Sequence, residues 1–367
     1  MPVDLAIVYS PIGGGHKAAA LALAETAKGK GMTAEVLNLF ELAPLVGNAY
    51  VEWHLAITGT NPEAYGRVYH AANHRGGALE PLRLKFEQLV FGRLLRRIET
   101  LQPRAVIATH HLPLVVLGRA RRKGNLEAPV TAVITDYTSH AVWAERGVDA
   151  FCVPSLFAHA DIVRHRGDPR DVYMTGIPVR EAFERIEPVS MPRDGEPLRV
   201  LVTSGGFGVG PMRRIVRSFA GQVDVALTVV CGAAEALVAD VERDVREAGV
   251  NARVIGFERD MASRVAEAHV VVGKAGGLTV SETLTAGRPM IVVGAVPGNE
   301  KQNEAFVVGG GAGVAAEPED VGGIANMLRA QHRLQAMGER GRLLVVSHAA
   351  RRVLEVAMVR ASTSNAA

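Results

Sequence analysis

Behind the apolar run VDLAIVYS, residues 11–17 read PIGGGHK and lead into the helix-forming AAALALAE. Glycines there let a ligand approach the backbone closely, and a helix start offers N–H groups and a partial positive charge. The spacing is neither GxGxxG nor GxxxxGK[ST], which sets aside dinucleotide and P-loop readings. His16 closes the loop at the carboxyl end of an expected parallel strand, where such folds place their ligands. Its ordinary pKa suits a general base. A capping or packing histidine fits the same spacing, so both readings stand at this point.

A second constellation begins at His269, HVVVGKAGGLTVSETLTAGRPMIVV. A strand runs into Gly273, Lys274, Ala275, Gly276 and Gly277, and a helix then carries Thr279 and Glu282 in its first two turns. Small residues at a helix start make a cradle for a diphosphate, with Lys274 as counter-charge. Glu282 lies just beyond, where a carboxylate accepts hydrogen bonds from ribose hydroxyls. A solvated charge on the helix face is its plainer alternative. The following VPGNEKQNEAF reads as a loop whose Asn299, Glu300, Lys301, Gln302 and Asn303 could read sugar hydroxyls, or simply face water.

The elements that position these residues are legible as Val- and Ile-rich runs alternating with helix-length segments. PRAVIATH, APVTAVITD, DAFCVPS, PLRVLVTS, VDVALTVVCG, NARVIGF and RPMIVVGA are examples. Continuous apolar runs point to strands buried on both faces of parallel sheets, hence an α/β protein. A strand, glycine turn and helix occur at the start and again from Leu198, as two Rossmann-like domains in tandem would. EPVSMPRDGEP, residues 187–197, has prolines and charges without periodicity and marks a linker. The expected division is 1–190 and 191–367, with the last helix able to pack back on the first domain. A chain of 367 residues favours two domains.

Composition narrows the function classes. The hydrophobic fraction of 48% supports full cores, and a net charge of +3 gives no case for a nucleic-acid partner. Cys152 and Cys231 sit in strand-like runs without metal-ligand spacing, so buried thiols in a reducing compartment are expected. The N-terminus reads as a first strand rather than a signal peptide, and no apolar run reaches the ~18 residues that span a bilayer. The segment from Arg67 to Arg104 nevertheless carries eight Lys and Arg against three Asp and Glu. Within it, Leu79, Leu82, Phe86, Leu89, Val90, Leu94 and Ile98 recur with a helical period among Arg83, Lys85, Arg93, Arg96 and Arg97. Such a helix can lie on an anionic membrane, or pack on its own domain.

Taken in chain order, GGGHKAAALAL, ITDYTSHAVWAERGVDAFCVPS, TGIPV, SGGFGVGP and GKAGGLTVSETLTAGRPMIV with PGNEKQNEAFVV resemble family 28 glycosyltransferases. The likeness is to monogalactosyldiacylglycerol synthases and processive diacylglycerol glucosyltransferases, and it covers most of the chain except residues 45–103. It implies a GT-B fold, two Rossmann-like domains with parallel sheets facing each other across a cleft. A UDP-hexose would bind mainly to the C-terminal domain and a lipid acceptor to the N-terminal one. By position, Phe257, between Gly256 and Glu258, would border the uracil. Gly276, Gly277, Leu278 and Thr279 would hold the diphosphate, and Glu282 the ribose. Glu300, Gln302 and Asn303 would face the hexose, with Gly14, Gly15, Gly206 and Lys274 as further donor contacts. His16 would take the proton of the acceptor hydroxyl, with Asp136 and His140 as alternatives or supports. One displacement of this kind inverts the anomeric centre.

The resemblance implies galactose or glucose passed to diacylglycerol or a related lipid, by a cytoplasmic protein resting on the inner face of the cell membrane. No DxD-type pair is evident, so no cofactor and no obligatory metal are expected. Three other readings share parts of the pattern: a UDP-N-acetylglucosamine transferase of the peptidoglycan type, a UDP-sugar 2-epimerase, and a nucleotide-sugar-binding regulator. The TDxxxHxxW stretch fits the first less well. Released UDP, rather than a rearranged UDP-sugar, separates a transferase from the second, and His16 counts against the third.

Overall fold

The computed structural model of the chain describes residues 2–12, 14–44, 47, 63, 67, 80–166, 168–193, 195–206, 208 and 210–364, with residues 80–90 and 364 as backbone alone. The chain divides into two compact units, Met1–Glu181 with His348–Ala367, and Ala182–Ser347.

The first unit is built on a six-stranded parallel sheet: β1 (Leu5–Tyr9), β2 (Ala34–Asn38), β3 (Ala105–Ala108), β4 (Val130–Val133), β5 (Ala150–Val153) and β6 (Val172–Met174). Their order is β2-β1-β3-β4-β5-β6. Side chains alternate between the faces of a strand, so a strand covered on both faces must be apolar at every position. β1 shows this directly. Ala6 and Val8 enter one core with Val106 and Ala108, while Leu5, Ile7 and Tyr9 enter the other with Ala105 and Ile107.

Helices α1 (Gly14–Gly29), α2 (Glu80–Leu101), α3 (Leu112–Arg122) and α4 (Leu156–Arg166) belong to this unit. The C-terminal helix, Ala349–Ser364, returns to it and covers the second core with Ala350, Val353, Leu354, Ala357 and Ala361, one face of a helix. Burying a Val or Leu fully is worth about 1.5–3 kcal/mol, which holds that helix to the sheet.

Helix α2 corrects one expectation. Phe91, Leu94, Ile98 and Leu101 are buried in the first core, and Arg97 pairs with Glu35 at 2.8 Å. Over residues 91–101 the apolar stripe therefore packs on its own domain and is not offered to a membrane. Arg93 and Arg96 remain exposed on the outer face. Leu79 and the side chains of Leu82, Arg83, Lys85, Phe86, Leu89 and Val90 lie outside the described residues, as does most of the segment 45–79.

The second unit has its own parallel sheet: β7 (Leu198–Thr203), β8 (Val225–Val230), β9 (Ala252–Ile255), β10 (Val270–Gly273), β11 (Met290–Val292) and β12 (Gly313–Ala315), ordered β12-β11-β10-β7-β8-β9. Both units are thus Rossmann-like. The unit begins at Ala182, ahead of the proline-rich stretch, because residues 186–189 are tied into it. Arg342 donates to the carbonyl of Ile186, the buried Arg288 donates to that of Glu187 at 2.6 Å, and the Val189 N–H reaches the Gly287 carbonyl at 3.5 Å. No helix among the described residues is long and apolar enough to cross a membrane.

His269, just before β10 and 2% exposed, accepts the Arg199 N–H on Nδ1 at 3.0 Å. Burial, then the Arg199 guanidinium, pushes its pKa down to about 4. The unfolded chain protonates this ring below its ordinary value of about 6.5, and the fold keeps it neutral. Its contribution to stability is therefore full above about pH 6.5 and is lost as pH falls towards 4. Between pH 7 and pH 5 that loss is about 2 kcal/mol. His269→Asn keeps an acceptor for Arg199 but cannot titrate, so its unfolding free energy is expected to fall less over this interval. Equal pH dependence in urea unfolding of both proteins would remove His269 as the source.

Candidate active site

In each sheet the chain winds one way from a central strand and then returns to its other side. The loops after the two strands at that switch point diverge and leave room for a ligand. In the first unit these strands are β1 and β3, in the second β7 and β10.

At the first switch point, α1 begins at Gly14 and presents His16, half-buried, in its first turn. The His16 Nδ1 lies 2.7 Å from the carbonyl oxygen of Thr109, the residue after β3, and the Thr109 hydroxyl donates to the His16 carbonyl at 2.9 Å. Thr135, after β4, places its hydroxyl 3.0 Å from the same Nδ1. His110 meets the His16 ring edge-on, with centroids 4.5 Å apart at 88°. His111 and Trp143 continue this aromatic cluster.

These contacts decide which histidine is in the form of a base. A carbonyl oxygen only accepts, so in neutral His16 the proton is on Nδ1 and the lone pair on Nε2. His140 is the reverse. It caps a short helical turn, Ala141–Trp143, and its Nδ1 accepts the Val142 N–H at 3.3 Å, which puts its proton on Nε2. His110, whose Nδ1 accepts from Leu112 at 3.2 Å, is likewise protonated on Nε2. Asp136 follows Thr135 directly and is half-buried. His140 is thus a capping residue and a donor rather than a second base.

At the second switch point, helix α8 (Gly277–Thr285, counting α5 Met212–Arg217, α6 Glu235–Ala248 and α7 Met261–Glu267) begins behind Gly276, with no side chain capping it. The N–H groups of its first turn have no intrahelical partner. A Cβ added to Gly276 would meet nothing nearer than the Thr279 hydroxyl at 3.8 Å, so the space over the helix start is open. Gly277 is buried, whereas Leu278, Thr279 and Glu282 are half-buried. Thr279 and Glu282, three residues apart, share a helix face.

The loop after β7 completes this end of the sheet. Gly206 is exposed, and its carbonyl accepts from Ala233 at 3.2 Å. Gly232, at φ 67°, backs it so closely that a Cβ there would sit 2.5 Å from the Gly205 oxygen. Phe257, two residues after β9, is 63% exposed, a large aromatic face left in solvent at the rim. Gly256 beside it and Glu258 are half-buried, and Glu258 pairs with Arg264 at 3.2 Å.

The stretch after β11 differs from the expected loop. Gly298, at φ 111°, ends the turn, and Asn299–Gly309 is a helix, α9. Glu300, Gln302 and Asn303 therefore stand on its first two turns. Asn303 is fully buried and its Nδ2 donates to the Ala275 carbonyl at 2.9 Å. It braces the glycine turn from behind instead of facing a sugar, because its helix position points inward. Glu300 bridges two elements, with Lys274 Nζ 3.3 Å from one oxygen and the Val296 N–H 2.8 Å from the other. Lys274 is thus ion-paired with Glu300 before any ligand arrives. Gln302 is half-buried on the other flank of Asn303.

Sequence reasoning passed over Thr109, His110 and Thr135. The signal was the Thr-His-His that ends PRAVIATHH, since residues after β3 meet those after β1 whenever these strands are neighbours. Among the described residues, no cluster of three His, Cys, Asp or Glu side chains could hold a metal ion.

Comparison with known proteins agrees with the two-domain fold. Residues 16–179 match the monogalactosyldiacylglycerol (MGDG) synthase family model, and residues 199–320 match the glycosyltransferase family 28 C-terminal domain. A processive diacylglycerol beta-glucosyltransferase of Bacillus pumilus (strain SAFR-032) is 26% identical over 365 residues, covering 95% of this chain and 93% of the relative. An uncharacterised glycosyltransferase of Bacillus subtilis (strain 168) is 25% identical over 80% of this chain and 79% of its own. Among solved structures, Acinetobacter baumannii MurG shares the fold, with a TM-score of 0.63 at 19% identity, covering 97% of this chain and 99% of that one.

Proposed function

We propose, from the premise that this chain belongs to glycosyltransferase family 28, that it transfers a hexose from a UDP-sugar to diacylglycerol or a related lipid with inversion at the anomeric carbon. The lipid acceptor is supported by the glucosyltransferase relative, whose likeness runs through both halves of the chain. The observation that carries the chemistry is the Thr109 carbonyl against His16 Nδ1, which puts the basic lone pair on Nε2 in the first turn of α1.

In this reading Nε2 takes the proton of the acceptor hydroxyl as its oxygen bonds to the anomeric carbon. The bond from that carbon to the β-phosphate oxygen breaks, and UDP departs with the electron pair. Its growing charge is met by the open N–H groups at the start of α8 and by Lys274, without a metal. Lys274 must then share its charge between Glu300 and the diphosphate, which loosens Glu300 to accept from hexose hydroxyls. Phe257 offers a face for the uracil, and Glu282 two oxygens for the ribose. The exposed Arg93 and Arg96 on α2 would draw the protein to an anionic leaflet on the cytoplasmic side.

The test is UDP release from UDP-glucose and from UDP-galactose, each with and without diacylglycerol in anionic vesicles and with EDTA present. Lipid-dependent release from one donor is expected, undiminished by EDTA. Release only from UDP-N-acetylglucosamine, or a rearranged UDP-sugar without release, would overturn the proposal.

A further inference from the structure

We infer that Thr135 is a positioning residue for His16, one that sets both the direction and the basicity of its Nε2. The inference rests on the reading of His16 as the base. A base of this type ordinarily has a third group holding its far nitrogen, most often a carboxylate. Here the far nitrogen meets two neutral acceptors. The Thr109 carbonyl lies 2.7 Å from Nδ1 and the Thr135 hydroxyl 3.0 Å. Asp136, the adjacent carboxylate, is one position further along the same loop.

The two acceptors differ in what they can enforce. The carbonyl belongs to the backbone after β3 and fixes the tautomer. The hydroxyl comes from the neighbouring strand end after β4, is 4% exposed, and approaches Nδ1 from a second side. Sharing one N–H between two oxygens restrains rotation of the ring in a way one acceptor does not. When Nε2 takes the substrate proton, the ring becomes a cation and its Nδ1–H a stronger donor, so both oxygens gain in value at that moment. Stabilising the imidazolium raises the pKa of the base. The proton stays on the imidazole until product leaves, and neither threonine is protonated or deprotonated.

Thr135→Val removes the hydroxyl with little change of shape. Loss of an acceptor disfavours the charged ring, so the acidic limb of kcat against pH is expected to move to lower pH by several tenths of a unit. kcat near neutrality falls by about 3- to 10-fold, as for loss of one hydrogen bond of about 1 kcal/mol. The KM for the UDP-sugar stays unchanged, because the donor cradle is in the other unit, and Thr135→Ser restores both limb and rate. A merely structural role would lower the amount of active protein without moving the limb. Ring-nitrogen NMR of the 15N-labelled wild-type protein gives a reading that needs no variant: the His16 proton is expected on Nδ1.

An unmoved limb with a wild-type rate in Thr135→Val, or a wild-type His16 ring protonated on Nε2, would overturn the inference. His16→Ala measured alongside separates the two levels. If that variant keeps its activity, the base assignment fails. If it is inactive while Thr135→Val behaves as wild type, only the role of Thr135 fails.

Discussion

Replacing His16 by alanine is expected to lower kcat by about 10²- to 10⁴-fold, the range over which a positioned general base contributes, while UDP binds as before. The size follows from the chemistry. A lipid hydroxyl has a pKa far above neutrality, so its oxygen attacks well only if its proton leaves in the same step. Nε2 of His16 carries the lone pair for this because the Thr109 carbonyl holds the proton on Nδ1. His110 and His140 each accept a backbone N–H on Nδ1 and so present a donor at Nε2. His16→Gln can keep a contact to Thr109 but has no basic nitrogen, and it is expected to be as slow as the alanine variant. Turnover within about threefold of wild type in both variants would remove His16 from the mechanism, while a matching loss of UDP affinity would point to a collapsed loop.

Glu282→Ala carries the second large effect, on binding and not on the chemical step. Hydrogen bonds from hydroxyls to a carboxylate are worth about 1.5–3 kcal/mol each, so the Kd for UDP is expected to rise by about 10- to 100-fold. Glu282 is half-buried and lies one helical turn beyond Thr279 on α8, so its removal leaves the helix start and the strands of the second unit in place. A ribose partner also makes a finer prediction. Wild-type protein should prefer UDP to 2′-deoxy-UDP in calorimetric titration, and the alanine variant should lose that preference. Normal UDP affinity in the variant would sink the ribose assignment, whatever becomes of the lipid acceptor.

The likeness to MurG is one of fold, and within that fold this chain makes local choices that a shared topology does not dictate. Lys274 is tied to Glu300. Asn303 is spent on bracing the glycine turn through Ala275. Of three polar side chains expected to face a hexose, Glu300 and Gln302 remain on the flanks of α9, and glucose against galactose would be read there.

Much of this was legible in the linear chain. Continuous apolar runs identified the strands because both faces of each sheet are covered, as Ala6 and Val8 on one side and Leu5 and Ile7 on the other make plain. Both glycine cradles could be read because a strand, a tight turn and a helix start are consecutive in sequence, and so are the donor N–H groups they expose. The residue types of His16, Lys274 and Glu282 announced their chemistry for the same reason. Helix α9 reads as a loop in the linear chain because its polar side chains carry no helical period, and only the start set by Gly298 reveals it.

Other features belong to the tertiary structure alone. The stripe of α2 could have faced lipid or core, and burial of Phe91, Leu94 and Ile98 decided for core over the described residues. The tautomer of His16 depends on Thr109 and Thr135, which are 93 and 119 residues away in the chain. Local sequence sets which backbone conformations and which chemical groups are available. Sheet order sets which strand ends are neighbours, and a ring nitrogen donates or accepts according to the atom found within 3 Å of it.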